Sequence, residues 1–241
     1  MRLLRQLIIA GSLAGVMAGV SATPAAPQSG IDYRTLERQQ PTESGKKIEV
    51  TEFFWYSCPH CFAFEPHLKE WVKKHGDNIV FKRVPVNFRE SFIPQQKLYY
   101  ALEAMGKADE LQDKVFHAIH VEHLNLDTDA GILEFVVKHG VDKQKFLEAY
   151  NAFGTQAKVR RASSLQEAYK IDGVPTIAID GKYETSPSIV GNAMGRQPEN
   201  VLAAAALQVM DALLTKAHGE HHSDAAPAAK LPAPVKHMEK K

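Results

Sequence analysis

The sequence contains only two cysteines in 241 residues, Cys58 and Cys61. Exported proteins that depend on disulfides for stability normally carry several cysteines spread along the chain. A bond between residues three positions apart closes a very short loop and constrains the unfolded chain little. The cysteine content therefore argues against a disulfide-stapled scaffold and favours a chemical role for the pair.

An excess of charge of either sign is also lacking. The chain has 29 Lys and Arg against 28 Asp and Glu, a formal net charge of +1. This balance gives no indication of a nucleic-acid partner or of a strongly acidic binding surface. With 44% hydrophobic and 24% charged residues, the composition is typical of a soluble globular protein. The length suits one domain, or one domain with an insertion.

One uncharged apolar stretch, residues 7–20, lies near the N-terminus and follows Arg2 and Arg5. Small residues come directly after it, so the pattern predicts a cleaved secretory signal peptide at residues 1–22. An uncleaved membrane anchor is the alternative. The stretch is short and rich in Gly and Ala, however, and we predict that residues 23–30 after it form a disordered linker.

Strand and helix patterns alternate after the linker. Residues 33–36 and 48–56 predict strands, the second of them β-branched, aromatic and buried on both faces. Apolar residues at helical spacing begin at Phe62 and predict a helix in which Pro66 removes a hydrogen bond and kinks the axis. Residues 79–86 predict a further strand. This order is the βαβ unit expected of two parallel strands.

The middle of the chain, residues 91–169, shows helical patterns instead. Asp127 and Asp142 are placed to cap two of the helices, and Gly140 and Gly154 to end them. Apolar stripes at helical spacing are typical of the core of a helix bundle. We interpret this segment as an inserted all-helical domain.

Strand patterns return towards the C-terminus. Residues 175–179 and 182–185 predict two strands joined by a hairpin turn at Asp180-Gly181, and residues 198–214 predict a last helix. The remainder consists largely of Ala, Pro, Lys and His, so we predict a disordered tail at residues 216–241. Its histidines could bind a metal weakly, but a solubilising extension is the simpler interpretation.

The two cysteines lie in the motif Cys58-Pro59-His60-Cys61, between a buried strand and the start of a helix. Unpaired N–H groups and the positive end of the helix dipole stabilise a thiolate at this position. We therefore predict that Cys58 is an exposed nucleophile with a lowered pKa. Cys61, one turn into the helix, is predicted to be the shielded resolving thiol. Pro59 suits the first helical position, where an N–H would be unpaired.

His60 is predicted to tune the redox chemistry. Next to a thiolate, a histidine can donate a hydrogen bond and, when protonated, add positive charge. Both effects favour the reduced form, which alone carries the thiolate, and so make the disulfide a stronger oxidant. The alternative is an exposed loop histidine without a role.

An acidic residue, Glu52, interrupts the apolar strand before the motif. A buried carboxylate is costly unless it is paired or functional. Glu52 near Cys61 could take up the thiol proton during exchange. Alternatively, it could be paired with a base such as Arg83. The residues alone leave both interpretations open.

A series of motifs occurs in the order in which one known family has them. They are Glu-Phe-Phe-x-x-x-Cys-Pro-His-Cys (52–61), Val-Asn-Phe (86–88), Gly-Val-Pro-Thr (173–176) and Asp-Gly-Lys-Tyr (180–183). From about residue 33 to residue 214, the chain resembles the DsbA family of periplasmic protein disulfide oxidoreductases.

The resemblance implies an α/β thioredoxin fold built from residues 31–90 and 170–215, with the helical domain inserted between them. It implies that Cys58 forms a mixed disulfide with newly exported proteins and so oxidises their cysteine pairs. Val174 and Pro175, with Pro175 in a cis peptide bond, would hold the extended substrate backbone beside the active site. No cofactor and no metal is expected.

The resemblance also implies a periplasmic location and reoxidation by a membrane quinone-linked partner of the DsbB kind. Glu52 matches the buried acid of the family, and Pro66 matches its helix-kinking proline. Arg83 stands where the family often has lysine. Because arginine does not release its proton, Arg83 can pair with Glu52 but is not suited to a proton shuttle.

Other functions remain open as alternatives. A disulfide isomerase would usually carry a dimerisation domain, for which residues 23–45 are too few, and a reductase would more typically have Gly-Pro between its cysteines. A zinc site of Cys58 and Cys61 with His60 or His67 lacks the usual second pair of ligands. A chaperone with an inert disulfide would bind substrates equally well after Cys58→Ser.

Overall fold

The computed structural model describes residues 26–224. The predicted signal peptide at residues 1–22 lies outside the described residues, as does the part of the predicted tail from residue 225 onward. Within residues 26–224, none of the helices combines the length and the apolar character that spanning a bilayer requires.

The described residues form five strands and eight α-helices. In chain order they are β1 (Arg34–Thr35), β2 (Ile48–Phe54), α1 (Pro59–His75), β3 (Ile79–Pro85), a 3₁₀ turn (Glu90–Phe92), α2 (Ile93–Ala104), α3 (Ala108–His120), α4 (Asp129–Lys138), α5 (Lys143–Asn151), α6 (Phe153–Ala168), β4 (Thr176–Ile179), β5 (Tyr183–Thr185), α7 (Pro187–Met194) and α8 (Glu199–Asp224).

The strands form one mixed sheet in the order β1-β5-β4-β2-β3. β2 and β3 are parallel and joined by α1, which confirms the predicted βαβ unit. β4 is antiparallel to both β2 and β5, and β1 is antiparallel to β5. Because β2 has a strand on each side and a layer on each face, all of its residues are buried, as its continuous apolar pattern indicated.

Two cores cover the two faces of the sheet. On one face, α1 and α8 pack against the strands through residues that include Leu68, Trp71 and Val209. On the other face, a core continuous with the helices α2 to α6 surrounds Phe54 and Phe116. These five helices lie between β3 and β4 in the chain, which confirms the predicted helical insertion and the α/β class.

The helical segment differs from prediction at two positions. Thr128, not Asp127, is the N-cap of α4, and Asp127 instead accepts a hydrogen bond of 2.7 Å from Gln95 Nε2. Asp142 caps α5 as predicted. Gly154 does not end a helix, because α6 already begins one residue before it. Glycine is a common stop signal, but here it lies in the first turn of a helix.

The boundary of the predicted disordered tail is wrong, because α8 continues through Asp224. Tertiary contacts hold its last turns: Glu220 accepts a hydrogen bond of 2.6 Å from the hydroxyl of Tyr183 in β5. His221 Nε2 lies 3.0 Å from both carboxylate oxygens of Asp180. Local composition could not indicate these contacts, and it equally missed the short helix α7.

The hairpin turn at Asp180-Gly181 is confirmed, with φ values of 56° and 63°. The predicted disordered linker extends too far, because Gly30 N–H donates a hydrogen bond of 2.7 Å to Tyr33 O. The prediction is therefore wrong for its last residues, which form a turn leading into β1.

Candidate active site

The two cysteines lie at the junction of β2 and α1. Cys58 is the N-cap residue of α1, and Pro59 occupies the first helical position. The backbone N–H of Cys61 donates a hydrogen bond of 3.3 Å to Cys58 Sγ, so the sulfur itself caps the helix. Both cysteines are free thiols in this structure. The predicted strand–motif–helix arrangement is confirmed.

Cys58 is less accessible than the sequence suggested. Its exposed fraction is 6%, and Cys61 is completely buried. The Cys58 thiol donates to the carbonyl oxygen of Val174 at 3.4 Å, so the loop before β4 covers part of the sulfur. The expectation of an exposed nucleophile is wrong in extent, although Cys58 remains the more accessible of the two cysteines.

The environment separates the two thiols electrostatically. The pKa of Cys58 is lowered to about 7, first by the hydrogen bond from the Cys61 thiol and then by the backbone N–H groups of His60 and Cys61, against the opposing effect of burial. The pKa of Cys61 is raised well above its ordinary value, mainly by burial and by the hydrogen bond that its thiol donates to Cys58. A single thiolate near neutral pH therefore belongs at Cys58.

The loop before β4 brings Val174 and Pro175 to the same place. The Val174–Pro175 peptide bond is cis, as the resemblance implied. The hydroxyl of Thr176 donates to Gly173 O at 2.8 Å and closes the loop. The backbone of this segment therefore lies directly beside the sulfur of Cys58.

Of the two interpretations that the sequence left open for Glu52, the structure shows the pairing with Arg83. Glu52 is completely buried, and Arg83 Nε donates a hydrogen bond of 2.9 Å to its Oε2. Its Oε1 has no hydrogen-bond partner among the described residues. Burial raises the pKa of Glu52 to about 7 despite the charge of Arg83, and the charge of Glu52 contributes to the raised pKa of Cys61.

A second buried acid, Glu65, was missed by the sequence analysis. Arg83 Nη2 donates a hydrogen bond of 2.8 Å to Glu65 Oε1, and burial raises the pKa of this carboxyl too. Two carboxyls share one guanidinium, so ionising both would leave a negative charge without a matching cation in the interior. The sequence did contain a signal for this residue, because Glu65 lies four positions after Cys61 and so on the same face of α1.

The ring of His60 pairs with a carboxylate rather than with the sulfur of Cys58. Its ring Nδ1 lies 2.6 Å from Glu199 Oε1, at the first residue of α8. The backbone N–H of His60, rather than its ring, donates to Cys58, while the charge of the ring lowers the Cys58 pKa through space. Of the two predicted effects of the His60 ring, its charge lowers the Cys58 pKa, whereas its hydrogen bond goes to Glu199.

The helical insertion holds the active-site turn from the other side. His120 Nε2 donates a hydrogen bond of 2.8 Å to Tyr56 O, and its ring stacks on Phe62 at a centroid distance of 4.8 Å. Gln95 Nε2 donates to Ser57 Oγ at 2.7 Å. Residues on both flanks of the motif are thus tied to helices α2 and α3, which the sequence could not reveal.

Comparison with known proteins gives a consistent result. Residues 82–206 match the model of the family described as "DSBA-like thioredoxin domain". The thiol:disulfide interchange protein DsbA of Burkholderia cepacia is 45% identical over 195 residues, which cover 80% of this chain and 91% of the relative. That of Bordetella parapertussis is 39% identical over 211 residues, covering 88% and 95%. The crystal structure of Pseudomonas aeruginosa DsbA superposes with a TM-score of 0.73 at 34% identity, covering 81% of this chain and 97% of that one.

Proposed function

The chain belongs to the DsbA family and is a thiol:disulfide oxidoreductase with a thioredoxin fold, and from this premise we propose that it donates the Cys58–Cys61 disulfide to newly exported proteins. The observation that carries this direction is the position of Cys58 as the N-cap of α1, where its sulfur accepts the Cys61 N–H at 3.3 Å and its pKa is lowered. A stabilised thiolate favours the reduced enzyme and therefore a disulfide that is readily given away.

The proposed reaction has two exchange steps. A substrate thiolate attacks Cys58 Sγ, the Cys58–Cys61 bond breaks, and Cys61 leaves as a thiolate while a mixed disulfide forms. A second substrate thiolate attacks the substrate sulfur of this mixed disulfide and releases Cys58. Two electrons pass to the enzyme, and the substrate gains its disulfide. Cys58 is a better leaving group than Cys61 because its pKa is the lower of the two.

Glu52 is proposed to supply the proton that Cys61 needs on leaving. Cys61 is completely buried, so its thiolate is costly and should be protonated. A carboxyl whose pKa is about 7 holds a proton under the conditions of the reaction and can release it. Arg83 keeps the carboxyl in place and compensates its charge after release. Pro59 and His60 are proposed to contribute to the low pKa of Cys58 through the helix start.

Val174 and Pro175 are proposed to hold the substrate backbone. Any residue bonded to Cys58 Sγ must pass the Val174 carbonyl, which lies 3.4 Å from that sulfur. An extended substrate segment could therefore exchange backbone hydrogen bonds with the loop.

Each cycle leaves a dithiol enzyme that must lose two electrons. We propose that a membrane quinone-linked partner of the DsbB kind accepts them, and that both proteins act at the periplasmic side. The predicted signal peptide at residues 1–22 supports this location. We likewise propose that residues 31–90 and 170–215 act as the thioredoxin-like domain and residues 91–169 as its insertion.

The test is the reduction potential of the Cys58–Cys61 pair in the mature protein, measured in glutathione buffers, together with a thiolate titration of Cys58. A potential well above that of glutathione and a Cys58 pKa near 7 are expected. A potential close to that of thioredoxin with an ordinary thiol would refute the donor role and favour a reductase. Cys58→Ser serves as the control that removes the thiolate signal.

A further inference from the structure

The contact between His60 and Glu199 joins the active-site motif to a distant part of the chain. His60 Nδ1 and Glu199 Oε1 are 2.6 Å apart, and the two side chains are 64% and 54% exposed. A carboxylate oxygen can only accept, so the ring N–H of His60 donates this hydrogen bond. Glu199 is the first residue of α8, and His60 is the second residue of α1.

Glu199 is held at this position by the packing of α8 against α1. Further along the same pair of helices, Trp71 Nε1 donates a hydrogen bond of 2.7 Å to Asp211 Oδ1. His75 Nε2 lies 3.0 Å from the same oxygen. Because these contacts fix one helix against the other, the carboxylate of Glu199 is presented to His60 by a rigid element.

The Nδ1–H of the His60 ring, which donates to Glu199, is not available as a hydrogen-bond donor to Cys58. The sulfur of Cys58 instead accepts hydrogen bonds from the Cys61 thiol and from two backbone N–H groups. The charge of His60 affects the Cys58 pKa only through space. A direct hydrogen bond from a histidine ring would add to the stabilisation of a thiolate, since hydrogen bonds to charged acceptors are the stronger ones. The negative charge of Glu199 itself also disfavours a nearby thiolate.

We propose that Glu199 is a positioning residue that limits the oxidising strength of the Cys58–Cys61 pair by holding the ring of His60 away from the sulfur. This inference rests on the proposed disulfide-donor function. When Glu199 is removed, the thiolate takes the place of the carboxylate as the partner of the ring. The reduced form is then more stable, and the disulfide is more readily given away.

The experiment compares Glu199→Ala with the wild-type protein in glutathione buffers at pH 7. We expect Glu199→Ala to shift the equilibrium towards the reduced enzyme by roughly 2- to 10-fold, the range for one hydrogen bond at an exposed site. The Cys58 pKa should fall in the same variant. Glu199→Gln should have a smaller effect, since its amide oxygen can still accept from the ring.

A double-mutant cycle tests whether Glu199 acts through His60. In a His60→Ala background, Glu199→Ala should change the equilibrium less than about twofold, because no ring remains to be held. Glu70→Ala removes an exposed acid about three helical turns along α1 and is the matched charge control. Unfolding in urea checks that all variants are folded.

Two results would overturn the inference. A Glu199→Ala protein that is unchanged, or a weaker oxidant, would show that Glu199 does not restrain the pair. An effect of equal size in the His60→Ala background would show that the carboxylate acts by its own charge. A wild-type potential near that of thioredoxin would instead refute the disulfide-donor function, while the direction of the Glu199→Ala shift would still be measurable.

Discussion

The buried carboxyl of Glu52 should make the stability of the oxidised protein depend on pH. Its pKa is raised from 4.5 to about 7 in the folded protein. As pH rises between these values, the unfolded chain loses this proton while the folded protein retains it, so stability falls. One pKa unit corresponds to about 1.4 kcal/mol, so the shift amounts to about 3 kcal/mol above pH 7.

Glu52→Gln should remove this dependence. At pH 5 the wild-type carboxyl is neutral in the fold, and an amide of the same shape should give nearly the same stability. At pH 8 the variant avoids a buried ionised group, and Arg83 keeps Glu65 as its partner. We expect the variant to be more stable than the wild type there by about 2 to 3 kcal/mol.

The assay is urea unfolding of the oxidised protein between pH 5 and pH 8. The disulfide removes both thiols from the titration, so Cys58 and Cys61 do not contribute to the pH dependence. The Glu70→Gln variant, which changes an exposed acid on α1, should run parallel to the wild type. If Glu52→Gln also runs parallel to the wild type across the whole range, the raised pKa and the argument built on it are incorrect.

Two further predictions concern residues outside the cysteine motif. Glu184 is 4% exposed, and burial raises its pKa to about 7. In urea unfolding, Glu184→Gln should therefore raise the free energy of unfolding by about 1 to 2 kcal/mol at pH 8 and hardly at all at pH 5. Equal gains at both pH values would show that the raised pKa is not the cause. His120→Phe keeps an aromatic ring on Phe62 but leaves Tyr56 O without its donor, whereas His120→Gln can keep a donor. The Phe variant should lose about 1 kcal/mol more stability and change the reduction potential more than the Gln variant; the reverse order would show that stacking, rather than the hydrogen bond, is decisive.

The elements that carry the cysteines could be predicted because their signals are local. The continuous apolar run of β2, the proline at the start of α1 and the turn at Asp180-Gly181 each depend on a few neighbouring residues. Pairing of Glu52 with Arg83 could be anticipated for a similar reason, because the two residues lie opposite each other on adjacent parallel strands of one βαβ unit.

Side-chain partners that depend on distant segments could not be predicted. His60 was expected at the sulfur, but its ring partner, Glu199, is 139 residues away in the chain. The last turns of α8 have a polar composition, yet contacts with the β4–β5 hairpin hold them in a helix. In both cases the local pattern carries no information about which distant segment lies nearby in the fold.

The roles of the two cysteines follow from an asymmetry that the fold imposes on nearly identical groups. The start of α1 lowers the pKa of Cys58, whereas burial raises the pKa of Cys61, only one turn away. The proposed proton transfer from Glu52 would make release of Cys61 feasible, while the lower pKa of Cys58 keeps it the better leaving group. If Glu199 restrains His60, the same site also contains a limit on its oxidising strength, so that the potential is set by opposing contacts rather than by the helix terminus alone.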